Sequence, residues 1–364
     1  MTVPADRADR LAAAAGDHGV DLLLVSAPAN VRWLTGFTGS NGVALVGLDG
    51  TRRFITDFRY VTQSEQQLDP LWDRRLAAQD LLGAGLTEHL PAGGGVLTLG
   101  FDDASVSVKA AAGLAAALPD GITAEAAGGL AEALREIKDD GEVASIRAAA
   151  VLVDAALEAV LARGVAGRTE AAVALDLEFE LRRAGAQAIS FAPIVAHGAH
   201  GALPHAVPRD VPIKPGTLLT IDWGAQLDGY CSDCARTYAV GSVGEDERAA
   251  YELVLRAQEA ALAALRPGPT GREIDAVARD IIDAAGHAEH FGHGLGHGVG
   301  LEIHEGPRLS RTGEAPLAAG MIVTVEPGVY VPGRFGIRIE DLVVVTAAGH
   351  EVLNTLPKDL RSIE

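Results

Sequence analysis

Hydrophobic and polar positions along this chain repeat in two ways, near the ~3.6-residue period of a helix and near the ~2-residue period of a strand. Residues 6–18 carry the helical repeat and end at Gly19, while 21–26 (Asp-Leu-Leu-Leu-Val-Ser) are an apolar run of strand length. Residues 42–48 and 52–56 predict two strands joined through Asp49-Gly50, a strong hairpin signal. Helical patterns at 58–68 and 106–118 alternate with a strand at 96–101. Alternation of this kind predicts an α/β domain with a mixed sheet. Two polar stretches, 30–41 and 56–60, read as loops. They serve either as turns and caps or as the part of this domain that overhangs an active site, its own or a partner subunit's.

From 130 to 141 the pattern turns amphipathic and then strongly charged, and from about Glu142 a helix presents Ile146, Ala149, Val153 and Leu157 on one face. The domain junction is expected near residue 135, giving domains 1–135 and 136–364. A second helix follows Thr169 and stops near Gly185. Residues 217–240 predict a hairpin, with strands at 218–223 and 230–240 around a turn at 226–229. Another is predicted at 321–345, with strands at 322–326 and 337–345 around Pro332-Gly333-Arg334. Helices are expected over 246–265, and from the capping box Thr270-Gly-Arg-Glu273 to Gly286. The second domain thus reads as α+β.

Composition narrows the function. The 364 residues are 48% hydrophobic and 4% aromatic, with a formal charge of −19 and a pI near 4.9. A polyanionic nucleic acid would be repelled. No apolar run approaches the roughly 18–20 residues that cross a bilayer, so no membrane partner is expected. The N-terminus is charged and helical in pattern rather than a signal peptide. Two cysteines make no disulfide framework, and a cytoplasmic protein is expected.

The chemistry gathers around Phe291-Gly-His-Gly-Leu-Gly-His-Gly-Val-Gly-Leu-Glu-Ile-His-Glu305, three histidines among five glycines. Glycine costs about 0.5–1 kcal/mol in a helix or strand interior, so this backbone must approach something closely or take unusual dihedrals. His297 reads as a metal ligand and His304 as facing a substrate. Seven residues apart, they would point to opposite faces of a strand, so a turn must bring them together. If the 226–229 turn is centred between Leu227 and Asp228, Asp222 faces Asp233. Centring the second turn on Gly333 sets Glu326 opposite Glu340. Facing carboxylates at about 4.5–5.5 Å between Cβ atoms repel, and a cation between them removes the problem. Four carboxylates and one imidazole suit two divalent ions, Mn²⁺ first, with Co²⁺ or Zn²⁺ possible. Such a pair would activate a water and polarise a carbonyl. Cys231 and Cys234 form a Cys-x-x-Cys, but residues three apart in a strand point to opposite faces, so they read as structural.

At these residues the chain resembles the pita-bread metallopeptidases, and within them the Xaa-Pro peptidases, prolidase and aminopeptidase P. The resemblance rests on Ile221-Asp222-Trp223-Gly224, Ser232-Asp233-Cys-Ala-Arg236-Thr237, Gly296-His297-Gly-Val-Gly-Leu-Glu-Ile-His304-Glu305, Thr324-Val-Glu326-Pro-Gly328, Arg338-Ile-Glu340-Asp341 and Pro204-His205. Leu34-Thr-Gly-Phe-Thr-Gly-Ser40 and Thr56-Asp-Phe-Arg-Tyr60 extend it to a creatinase-like N-terminal domain. By that resemblance Asp222 binds one metal, Asp233 and Glu340 bridge both, and His297 and Glu326 complete the second. Glu326 is then also the general base. His205 and His304 contact substrate and the developing oxyanion, and Arg338 and His293 support the substrate site. The resemblance implies a two-fold homodimer and a proline-containing di- or oligopeptide substrate. The single short N-terminal domain favours an Xaa-Pro dipeptidase over an aminopeptidase P acting on longer peptides. A methionine aminopeptidase would not need that domain, and a non-catalytic relative should have lost a ligand. A dipeptidase also needs a cation for the substrate carboxylate, for which Arg311 and Arg334 are the candidates.

Overall fold

The computed structural model describes residues 3–78, 80–90 and 96–364, which leaves out the first two residues of the N-terminal helical stretch. The chain divides into two compact units, Met1–Arg135 and Glu136–Glu364. Among the described residues no helix is long and apolar enough to cross a membrane.

In the first unit, β1 (Leu22–Val25), β2 (Gly42–Gly47), β3 (Arg52–Thr56), β4 (Asp73–Leu76), β5 (Leu97–Phe101) and β6 (Ile122–Ala126) form one sheet in the order β4-β3-β2-β1-β5-β6. The β1–β2 and β2–β3 pairs are antiparallel, and the β3–β4, β1–β5 and β5–β6 pairs parallel. This is the mixed sheet that the alternation predicts. Helices α1 (Arg7–Asp17), α2 (Pro28–Thr35), α3 (Val61–Gln67), α4 (Ala84–Thr87), α5 (Val108–Ala117) and α6 (Leu130–Arg135) link the strands. The edge strands β4 and β6 escape the hydrophobic pattern because they bury little: Arg74, Arg75, Leu76, Thr123 and Glu125 are exposed. Part of the stretch read as a loop at 30–41 is helix instead. Pro28 opens α2 in its first turn, where a missing N–H costs nothing.

The second unit is built around two helix pairs and their sheets. α7 (Asp140–Leu161) and α8 (Glu170–Arg183) pack Val153, Leu157, Leu177 and Leu181 against Val195, Ile221, Trp223 and Tyr238. These belong to the sheet of β8 (Ile194–His197), β9 (Thr217–Trp223) and β12 (Cys234–Val240), edged by β20 (Ser362–Ile363). α9 (Glu245–Ala264) and α10 (Gly271–Ala284) pack Tyr251, Val254, Ile274 and Ile282 against Val323, Val325, Ile337 and Val343. Here the sheet runs β14 (Glu305–Leu309), β13 (Gly296–Gly298), β15 (Ile322–Val325), β18 (Asp341–Thr346) and β19 (Gly349–Val352). Both bonds of the capping box at Thr270 and Glu273 are made.

Both predicted hairpins form, and both are interrupted. In the first, β9 continues as β10 (Ala225–Leu227) and returns as β11 (Tyr230–Cys231) before β12; β7 (Ala188–Ile189) pairs with β10. Leu227 pairs with Tyr230, and Asp228 (φ 48°) and Gly229 (φ 79°) make the turn. That is the left-handed pair a two-residue hairpin turn requires, and Asp-Gly is its preferred sequence. The turn centre therefore lies one residue further on than expected, and Asp222 faces Ala235 rather than Asp233. A shift of two keeps Asp233 on the same face as a diagonal neighbour, because side chains alternate with period 2. In the second hairpin Val325 pairs with Asp341, and Gly328 of β16 (Gly328–Val331) with Arg338 of β17 (Phe335–Arg338). Both ladders keep one register, so Glu326 and Glu340 occupy the facing gap between them.

Candidate metal centre and its cleft

Three of the acids occupy the interruptions, and the fourth lies in the strand beside one. Asp233 falls between β11 and β12, Glu326 follows β15, and Glu340 precedes β18, while Asp222 is the penultimate residue of β9. Each interruption frees main-chain groups, and these stitch the elements together. Glu340 N–H donates to Ala235 O at 3.0 Å, and Glu326 N–H to Leu295 O at 2.8 Å. Arg236, buried beside them, donates to Glu340 O and pairs with Asp341 at 2.7 Å.

Asp222, Asp233 and Glu340 are buried, and one oxygen from each lies within 4.8 Å of the others. His297 Nε2 stands 3.6 Å from Asp233 and 3.3 Å from Glu326. Asp222 Oδ1, Asp233 Oδ1 and Glu340 Oε1 are buried with no hydrogen-bond partner. Burial, and then repulsion from Asp222, raises the Asp233 carboxyl well above its usual range. Burial and the neighbouring Asp233 do the same to Glu340, and burial raises Glu326. Orphaned lone pairs converging in a dry site fit a bound cation, which would satisfy the oxygens and favour their ionised form.

The glycine-rich stretch delivers the imidazole. A Cβ on Gly296 would stand 2.0 Å from Thr324 O, and one on Gly298 1.9 Å from Gly306 O, so the strands flanking His297 touch backbone to backbone. His297 Nδ1 donates to Gly298 O at 3.0 Å, which leaves the Nε2 lone pair facing the acids. Burial pushes His297 down to about 4, so it is neutral at physiological pH. Thr324 Oγ1 accepts from His297 N–H at 3.0 Å and donates to Glu326 Oε1 at 3.0 Å. From α10, Arg279 donates to Phe291 O (2.9 Å) and His293 O (2.8 Å), while Asp275 accepts from Leu295 N–H (2.9 Å). Arg279 and Asp275 also pair with each other at 2.7 Å, and this buried ion pair shapes the stretch ahead of His297. Residues 299–304 supply the turn that His304 needs, and its ring centroid lies 4.4 Å from that of His297. Burial and then His297 push His304 down to about 4.

A cleft of about 570 Å³ opens over the acids, lined by His205, His293, His304 and Arg338 among others. Arg338 pairs with Asp222 and donates to Tyr330 Oη at 2.7 Å. His293 Nδ1 donates to Gly294 O at 2.7 Å, so its Nε2 accepts from Tyr330 Oη at 2.9 Å. Arg338 and His293 thus form a hydrogen-bonded chain through Tyr330 to Asp222. Sequence reasoning missed Tyr330; its only signal was a hydroxyl in the otherwise apolar strand Gly-Val-Tyr-Val. The two arginines expected to meet a substrate carboxylate lie away from the cleft. Arg311 is exposed and Arg334 pairs with Asp246 at 2.8 Å; neither lines the cleft. Arg308 does line it, and its guanidinium has no ion-pair or hydrogen-bond partner among the described residues. It faces His297 in the β13–β14 ladder, and its even spacing from His304 was the available clue. Cys231 and Cys234 are free and buried. Burial pushes Cys231 up to about 11 and raises Cys234 well above the usual thiol range, which suits inert packing groups.

The description "Metallopeptidase family M24" matches residues 144–347, and "Creatinase/Prolidase N-terminal domain" matches 7–137. The chain belongs to metallopeptidase family M24, whose members use divalent metal ions, and its C-terminal unit has the pita-bread fold. It is 40% identical over 358 residues to the Bacillus subtilis "Uncharacterized peptidase YqhT", covering 95% of this chain and 96% of that one. Among solved structures, an Xaa-Pro dipeptidase from Bacillus anthracis superposes with a TM-score of 0.93 at 38% identity, covering 98% of this chain and 99% of that one. An X-Pro aminopeptidase from Thermotoga maritima gives 0.89 at 35% identity, covering 98% and 100%.

Proposed function

We propose that this chain is an Xaa-Pro dipeptidase that hydrolyses the bond between an N-terminal residue and a C-terminal proline. The observation that carries the reading is the convergence of three buried carboxylates, the partly buried Glu326 and a neutral imidazole beneath a cleft whose Arg308 has no partner among the described residues. Asp222, Asp233, His297, Glu326 and Glu340 would hold two divalent ions. An oxygen-rich set favours Mn²⁺, with Co²⁺ or Zn²⁺ as alternatives. When bound, the ions make water acidic enough to lose a proton near neutrality and polarise the scissile carbonyl.

The chain's own residues do the rest. Glu326 takes the proton as the water oxygen bonds to the carbonyl carbon, and returns it to the proline nitrogen as the C–N bond breaks. His205 and His304 donate hydrogen bonds to the oxyanion that develops. Arg338 holds Asp222 in place. Arg308 receives the terminal carboxylate, which an Arg side chain can grip with two parallel bonds. The scissile amide carries no N–H, so recognition falls on that carboxylate and on the cleft walls.

Likeness to the Thermotoga maritima enzyme favours a second reading, an Xaa-Pro aminopeptidase. Assaying Ala-Pro beside Ala-Pro-Ala with Mn²⁺ separates the two: preferential cleavage of the tripeptide would overturn the dipeptidase. Metal content by elemental analysis tests the ion pair. A two-fold dimer is proposed from the family resemblance, and sedimentation at the mass of one chain would refute it. A reducing, cytoplasmic setting suits the two free cysteines.

A further inference from the structure

One carboxylate gathers both ends of the loop that carries His205. Glu170, the first residue of α8, is fully buried. It accepts from the His197 N–H at 3.1 Å, from His197 Nδ1 at 2.7 Å and from His200 Nδ1 at 3.0 Å. These lie on the outgoing stem, at the end of β8 and in the 3-10 turn Gly198–Ala202. From the returning stem, Arg209 donates its N–H, Nε and Nη2, each at 3.0 Å. Beyond it the chain is tied to the start of α8, since Ala171 N–H donates to Arg209 O and Ile213 N–H to Arg168 O. Between the stems, Pro204, His205, Ala206, Val207 and Pro208 line the cleft, and none of them bonds to Glu170.

Burial by itself would raise the Glu170 carboxyl. Arg209, the N–H groups of His197 and Arg209, and the His197 imidazole outweigh it and hold the group down to about 2. The open end of α8 adds to this, because a helix N-terminus favours negative charge. Two imidazoles and a carboxylate do not make a second metal site here, because the carboxylate is already occupied by Arg209 and both Nδ1 atoms are donors. The cluster is a clasp, and its stake is a buried charge that every broken contact would leave uncompensated.

We propose that Glu170 is a positioning residue for substrate binding: by tying His197 and His200 to Arg209, it holds the 203–208 wall and His205 in place over the acids. The proposal rests on the peptidase reading of the cleft. Glu170→Gln tests it, because a neutral amide of the same size cannot accept all these bonds. Amide exchange in the metal-free protein should speed up across 198–209 by roughly ten- to a hundredfold, the scale of a lost charge-assisted network, while 217–240 stays protected. In the metal-loaded protein, kcat/KM for Ala-Pro should fall by a similar factor, with metal content retained, because both the cleft wall and the oxyanion donor His205 lose their placement. Arg209→Met loosens the returning stem alone; it should move both readings the same way and serves if Glu170→Gln does not fold. Unchanged exchange in the loop, exchange rising throughout the second unit, or an unchanged kcat/KM with the loop loosened would each overturn the clasp. The exchange reading needs neither metal nor substrate, so a wild-type protein that fails to cleave Ala-Pro would refute the dipeptidase reading and leave the clasp to be judged separately.

Discussion

The main-chain N–H of Glu340 donates to the carbonyl of Ala235 at 3.0 Å, joining two hairpins where both ladders are broken. Ala235 is also the cross-strand partner of Asp222 and lies two residues beyond Asp233. This one bond therefore sets the distance between the acids of the first hairpin and Glu340. Four carboxylates from two separate strand pairs are brought together by backbone pairing.

Asp233 is repelled by Asp222 and Glu326, and its removal takes away an oxygen that the proposed ions share. Asp233→Ala should abolish both metal uptake and peptidase activity while the protein stays folded. Elemental analysis together with the Ala-Pro assay reads this out, and a mutant that keeps wild-type activity would sink the two-ion site.

Asp233, Glu326 and Glu340 have raised carboxyl pKa values. In the metal-free protein the folded state then binds more protons than the unfolded one, so stability should fall as pH rises above the ordinary carboxyl values of about 4–4.5. A bound cation reverses the preference. Adding Mn²⁺ to metal-free protein at pH 6 in weak buffer should release protons and raise the melting temperature. Titration with no proton release would contradict the raised values.

Tyr330 links Arg338 and His293 and touches none of the acids by a hydrogen bond. Tyr330→Phe should leave metal content unchanged. It should lower kcat roughly tenfold, the scale of a lost hydrogen bond to a charged group, because Arg338 is then free to shift from Asp222. Loss of metal in this variant would show that the chain holds the ligands themselves.

Arg308→Ala separates the two peptidase readings. For a dipeptidase, KM for Ala-Pro should rise roughly ten- to a hundredfold, as expected when a charged hydrogen-bonding partner is lost. An amide-capped Ala-Pro should be affected far less. Equal effects on both substrates would remove Arg308 from carboxylate recognition.

Periodicity made the mixed first sheet, both long hairpins and the capped helices legible, since each reports burial within a short window. It also placed the acids on a common face, because a period of 2 sets parity. It could not choose between registers that differ by two; the left-handed Asp228-Gly229 turn is what sets Asp222 opposite Ala235. The edge strands β4 and β6 were silent because they bury little.

The sequence by itself determined which residue types could hold a cation, that glycine must flank His297, and that the fold is α/β followed by α+β. The tertiary structure alone decided which of these groups meet. Joining Glu340 to Ala235, Tyr330 to Arg338, and Glu170 to Arg209 depends on main-chain and side-chain hydrogen bonds and burial between residues 8 to 105 positions apart. Local pattern carries no information about such pairs; they arise when two amphipathic layers pack and every buried donor must find an acceptor.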